Sequence, residues 1–266
     1  MLGRMMWVAT VLVTCGVIGS VRHAEAAPRK KLLVVTHTEG FRHTEGIAAG
    51  EVVIKEIGEK SGVFTVDYCR NADDVRKMLT PEYLKPYDGV VFLNTTGELP
   101  IPDVQAFLDW VKSGKAFLGF HSATDTLHPN AGYIEMIGGE FQTHGAQCAI
   151  TPIVEDPKHP ATARWPKGLA VTDEIYHHVK VDRTKCRVLM RLDANPADNR
   201  PEQNQPADFW VAWCRSYGKG RVFYSLFGHR KDVWDVEAFR EQILGAVRWT
   251  TGLARGDAAP RPRPAH

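Results

Sequence analysis

The chain has 266 residues and a formal net charge of +2, with both signs scattered along it. That balance, with no Lys/Arg block long enough to act as a basic arm, excludes an electrostatic nucleic-acid binder. Beyond the N-terminal segment the cysteines are Cys69, Cys148, Cys186 and Cys214, widely spaced and without a CxxC pair, which excludes a zinc ribbon or thioredoxin-type motif.

The first residues read as a targeting signal. Arg4 supplies a positive start, an apolar run covers residues 5–18, and Ala24-Glu25-Ala26 offers small residues to a signal peptidase. The run is too short for a comfortable membrane span. Cleavage after Ala26 and export to the periplasm or medium are expected, with no span in the mature form. Residues 27–252 then suffice for a single domain with a full core. The tail, residues 253–266, is Pro-rich and expected to be disordered. An exported chain can form disulfides, but buried free thiols fit the apolar surroundings of all four cysteines equally well.

Within the domain, residues 31–37 (KLLVVTH) read as a buried strand. Residues 44–60 carry apolar positions among charges and predict a helix ended near Ser61-Gly62. Residues 64–69 read as a second strand, 72–79 as a short helix and 88–94 as a third strand. Pro102 opens a helix to about residue 112, and residues 115–120 form a fourth strand. Strands of near-continuous hydrophobicity alternating with helices imply a parallel sheet covered on both faces. Helices at 131–137 and 236–249 and a returning strand at 221–227 fit that plan. Strands at 148–154, 176–181, 186–191 and 209–215 predict an antiparallel β extension or a β-rich insertion.

Ligands of open parallel sheets bind beyond the carboxyl ends of the strands. His37, Asn94, His121 and His229 close four of the predicted strands. Three histidines from distant segments thus fall at one sheet edge, and histidine serves as acid, base or metal ligand near neutral pH. Arg42, His43, Asp125, His144, Asp173, Glu174 and Tyr176 can join them. Asp125 suits either a site role or a helix cap. His177 and His178 alternate, so at most one faces a site; His128 and His159, each close before a proline, read as loop residues. The tryptophans, among them Trp165, Trp210, Trp213 and Trp234, suit core packing more than sugar stacking. No GxGxxG or GxxxxGK[ST] is present, which argues against a nucleotide cofactor. Gly119-Phe-His-Ser-Ala123 places histidine, not serine, at the centre of a strand-to-helix turn.

These segments resemble the ThuA-like (trehalose utilisation) family over residues 30–252. The matching stretches are Thr36-His37 with Gly40-Phe41-Arg42-His43, Gly119 through Asp125, and Tyr133 through Phe141 with His144. Asp173-Glu174-Ile175-Tyr176, Gly220 through Tyr224 and Gly228-His229 complete them. The resemblance implies a three-layer αβα sandwich around a mostly parallel, flavodoxin-like sheet, related to class I glutamine amidotransferases. In those relatives a catalytic cysteine occupies the turn held here by His121, so glutamine hydrolysis is not expected. The family association is with sugar catabolism, including 3-keto glycosides made by partner dehydrogenases. Two functions stay open: an enzyme acting on a glycoside or 3-keto glycoside, or a non-catalytic carbohydrate-binding or scaffold protein. For the enzyme, His121, His229, Asp125 and Glu174 are the expected catalytic groups. Arg42, His43, Asn94 and Tyr176 are the expected substrate contacts. A divalent metal such as zinc would draw on His37, His121, His144 and His229.

Overall fold

The computed structural model describes residues 28–193 and 208–263; the expected signal peptide lies outside them. The elements follow the predicted rhythm closely. Strand β1 spans Lys30–Val35, helix α1 Thr44–Ser61, β2 Phe64–Cys69, α2 Ala72–Met78, α3 Pro81–Leu84 and β3 Gly89–Leu93. Helix α4 (Val104–Lys112), β4 (Ala116–Phe120) and α5 (Ala131–Ile137) complete the first half. The second half holds β5 (Glu140–His144), β6 (Cys148–Ile150), β7 (Ile153–Val154), β8 (Val171–Asp173) and β9 (Tyr176–Val179). It ends with β10 (Arg187–Leu192), β11 (Phe209–Tyr217), β12 (Gly220–Ser225) and α6 (Glu237–Thr250).

Local chemistry explains the boundaries. The Asp103 and Asn130 side chains accept N–H groups from Ala106 and Tyr133 and so start α4 and α5. Helix α1 stops at Gly62, whose left-handed conformation (φ 66°) returns its N–H to the Gly58 carbonyl.

Eight strands form the central sheet in the order β2-β1-β3-β4-β12-β11-β10-β7. The first five are parallel, in the 2-1-3-4-5 arrangement of flavodoxin-like sheets, and the last three are antiparallel. The fold is therefore the expected mixed α/β sandwich with an antiparallel extension. Every residue of β3 and β4 is buried, as a strand covered on both faces requires. Helix α1 packs beside α6, while α4 packs beside α5, giving a helical layer on each face.

The region 140–215 differs in detail from expectation. Residues 140–144, not anticipated as a strand, pair antiparallel with β9, and β6 pairs with the equally unanticipated β8. These short pieces lack the apolar alternation by which strands are read. Cys69, Cys186 and Cys214 are free thiols. Trp165, Trp210, Trp213 and Trp234 are buried core residues. The Pro-rich tail has no regular structure through residue 263, yet it makes contacts that an expectation of disorder does not anticipate. Trp249 Nε1 donates to Gly256 O at 3.0 Å, and Arg187 Nη1 donates to Asp257 Oδ2 at 3.1 Å.

Candidate functional site

The order of strands creates the site. Between β1 and β3 the connections diverge, leaving a crevice at the carboxyl edge of the sheet. Four segments enter it. The loop after β1 returns at the start of α1 with His43. The turn after β4 carries His121, the β8–β9 link carries Glu174, and the loop after β12 carries His229.

His121 is fully buried and has φ 47°, a left-handed conformation uncommon outside glycine. Such strain persists only where the surroundings enforce it. Here the Tyr224 hydroxyl donates to the His121 carbonyl at 2.6 Å. Tyr224, Thr124 Oγ1 and His178 Nε2 form a buried triangle with sides of 3.2 Å. Burial lowers His178 to about 3, so that imidazole stays neutral. At the ring of His121, Nδ1 lies 3.0 Å from the Leu226 carbonyl. A carbonyl only accepts, so Nδ1 bears the proton and the lone pair of a neutral ring sits on Nε2.

That lone pair points at three other donors. His121 Nε2 lies 3.2 Å from His43 Nε2, 3.2 Å from His229 Nδ1 and 3.4 Å from Glu174 Oε2. His229 Nδ1 is 3.0 Å from the same carboxylate oxygen. All four atoms lie within 4.8 Å of one another. A tetrahedral ion with bonds of about 2.0–2.1 Å would set its ligands about 3.3 Å apart. Three imidazoles and one carboxylate therefore fit a first-row divalent metal. The supporting contacts fit too: the Leu226 carbonyl orients His121, and Ser122 Oγ lies 3.3 Å from His43 Nδ1.

Electrostatics agrees with the geometry. Burial, with His121 and His229 alongside, lowers His43 to about 3, so it is neutral and free to ligate. Burial alone would raise the Glu174 carboxyl, but the adjacent His121 and His229 rings outweigh it and hold Glu174 well below the usual carboxylate range. Burial likewise pulls His229 down, yet the Glu174 carboxylate prevails and raises it. Tyr176 packs its ring 4.2 Å from His121, and burial raises its phenol well above the ordinary value.

The group opens into a cleft of about 440 Å³ lined by Phe41, Arg42, His43, Gln147, His229 and Arg230, among others. Phe41 stands at its mouth, 70% exposed, edge-on to His43. Arg42 Nη1 donates to the Thr36 carbonyl at 2.8 Å, and among the described residues no carboxylate is paired with this guanidinium. A larger cavity of about 460 Å³, lined by Lys180, Lys185, Cys186 and Arg215, is lined by none of the four donors.

His121, Glu174 and His229, expected from sequence, are thus brought together, with Tyr176 against them. His43, expected to touch substrate, instead stands among the possible ligands. His37 does not join the group: Nε2 pairs with Glu39 Oε1 at 2.8 Å. His144 reaches only the outer oxygen of Glu174, at 3.1 Å, and is half-exposed. Asp125 belongs to a separate network: its carboxylate lies 2.7 Å from His128 Nε2, while His128 Nδ1 lies 2.8 Å from Glu140. Asn94, expected to touch substrate, is fully buried; Nδ2 donates to the Gly228 carbonyl at 2.8 Å and braces the His229 loop. Asp173, a site candidate by sequence, instead accepts backbone N–H groups of Gly228, Arg230 and Glu174, and Ser122, beside His121, was not expected to reach His43. The only sequence signal for Asp173 is its place beside Glu174.

A histidine-rich, metal-competent centre at the carboxyl edge of a flavodoxin-like sheet defines an α/β protein whose turn after β4 holds a buried histidine. No curated protein matches the chain. The chain belongs to the ThuA family, described as trehalose utilisation, which matches residues 31–250. Among solved structures it is similar to a putative ThuA-like protein from Bacteroides uniformis, with 21% identity and a TM-score of 0.67, covering 87% of this chain and 95% of that one. A putative ThuA-like protein from Parabacteroides merdae shares 17% identity at a TM-score of 0.65, covering 88% and 98%. A β-galactosidase from Bacillus circulans sp. alkalophilus shares 10% identity at a TM-score of 0.53, covering 87% of this chain and 32% of that one. At such identities the likeness shows the fold alone.

Proposed function

We propose that this protein is an exported enzyme of carbohydrate catabolism, acting on a glycoside or 3-keto glycoside supplied by a sugar dehydrogenase, without glutaminase activity. The observation that carries this reading is the convergence of His43, His121, Glu174 and His229 on one point at the base of a cleft. Family membership supports the carbohydrate link. A divalent metal held by those four residues would supply Lewis-acid polarisation of a substrate oxygen.

The remaining groups divide the work. Phe41 offers an exposed face for a sugar ring. Arg42, anchored through a single nitrogen on Thr36, turns its remaining N–H donors to a substrate oxygen that gains negative charge. His144, half-exposed and 3.1 Å from Glu174, carries the proton to or from the reacting carbon or oxygen. A keto group acidifies the neighbouring C–H, which makes elimination or isomerisation accessible to such a base.

The test is turnover of a panel of 3-keto glycosides and parent disaccharides by untagged protein, with Zn²⁺, Mn²⁺ or chelator present. Turnover lost on chelation and in Arg42→Ala is expected. An unchanged panel under all conditions rejects the enzymatic reading for those substrates. Sugar binding without turnover would assign the protein to carbohydrate binding instead.

A further inference from the structure

Asp173 sits one residue before Glu174 and is fully buried, and its carboxylate is not among the four ligand atoms. Its contacts are specific. Oδ2 accepts the Gly228 N–H at 2.8 Å, and Oδ1 accepts the Arg230 N–H at 3.1 Å and the Glu174 N–H at 3.0 Å. The two loop amides flank His229, and the third belongs to Glu174. One carboxylate thus grips both chain segments that deliver neighbouring ligands.

The grip is reinforced at the carbonyl of the same residue, Gly228. The Gly228 carbonyl accepts Asn94 Nδ2 at 2.8 Å and Trp234 Nε1 at 3.2 Å. Gly228 has φ 131°, a conformation that L side chains rarely adopt and glycine permits, so the loop can take this path only with glycine there. The same loop supplies Arg230, Lys231 and Asp232 to the wall of the cleft.

We propose that Asp173 is the positioning residue of the centre: it sets the 3.0 Å separation of His229 Nδ1 and Glu174 Oε2 by holding both backbones on one carboxylate. This role rests on the reading of the four-residue group as a metal site. Asparagine is the informative replacement because it matches aspartate in size. It keeps one acceptor oxygen but turns an N–H₂ group toward one of the backbone N–H donors. The ligand pair then loses its register while both ligands remain present.

The experiment compares untagged wild type, Asp173→Asn and Asp156→Asn by calorimetric titration with Zn²⁺ and Mn²⁺, alongside amide hydrogen exchange of the metal-free wild type. Asp156 is a buried carboxylate paired with Arg187, outside the site, and controls for loss of a buried acid. Asp173→Asn is expected to weaken metal binding by about 10- to 100-fold, the range for groups that orient ligands. Asp156→Asn is expected to leave it unchanged. The Gly228 and Arg230 amides are expected to be protected before metal is added. Wild-type affinity in a folded Asp173→Asn overturns the role of Asp173 alone. Gly228 and Arg230 amides exchanging at open-loop rates overturn it as well, and decide the matter if the variant does not fold. A wild type that binds neither ion overturns the metal reading and this role with it.

Discussion

Replacing His43 by alanine separates the four-residue group that could hold a metal from the ligand set that strand ends alone suggest. His43 Nε2 lies 3.2 Å from His121 Nε2, and its ring is buried and neutral, so it can ligate without first losing a proton. Four-ligand structural zinc sites bind with about 10–16 kcal/mol, so an even share per ligand is about 3 kcal/mol. At about 1.4 kcal/mol per tenfold, that share corresponds to a loss on the order of 10² in affinity. His37, by contrast, pairs with Glu39, and His37→Ala is expected to bind metal as wild type does. The assay is competition against a chromogenic chelator, with untagged protein and bound metal counted by elemental analysis. Affinity lost in His37→Ala but kept in His43→Ala would refute the assignment of ligands.

Three further perturbations test the scaffold. Gly46→Ala would place a Cβ 2.5 Å from the Gly228 carbonyl and 2.6 Å from that of His229, so α1 and the ligand loop must separate. A loss of about 1–3 kcal/mol with weaker metal binding is expected, and unchanged thermal unfolding would refute it. Tyr224→Phe removes the hydroxyl that braces the strained His121 backbone; about 1–2 kcal/mol and a fall in Tm of a few degrees are expected in calorimetry. Asp156 tests pH linkage. Burial would raise its pKa, but the Arg187 guanidinium at 2.8 Å outweighs burial and lowers it. A carboxylate with a depressed folded-state pKa stabilises the fold above its unfolded value, about 3.9, and loses that contribution as pH falls through the folded value. Wild type should therefore exceed Asp156→Asn by about 2 kcal/mol at pH 7, and the difference should shrink below about pH 4 in denaturant titrations. A difference that does not change with pH would refute the linkage.

The sequence by itself determined the sheet, most of its strands and the edge at which chemistry gathers. Buried parallel strands announce themselves as short apolar runs, and their carboxyl ends fall where the runs meet polar residues. His121 and His229 are legible on that ground, and Glu174 through the Asp-Glu-Ile-Tyr stretch. Proximity in the fold decided the rest. β1 ends at Val35, and the chain loops back so that His43, eight residues on, returns over the sheet edge while His37 turns to Glu39. Asn94 and Asp173 read as polar site candidates, yet both face backbone inside the fold. Asp125 is drawn to His128, three residues on, rather than to the site. Hydrophobic pattern depends on local spacing and survives in the sequence; the meeting of four donor atoms depends on loop closure across the 186 positions from His43 to His229, and only the tertiary structure sets it.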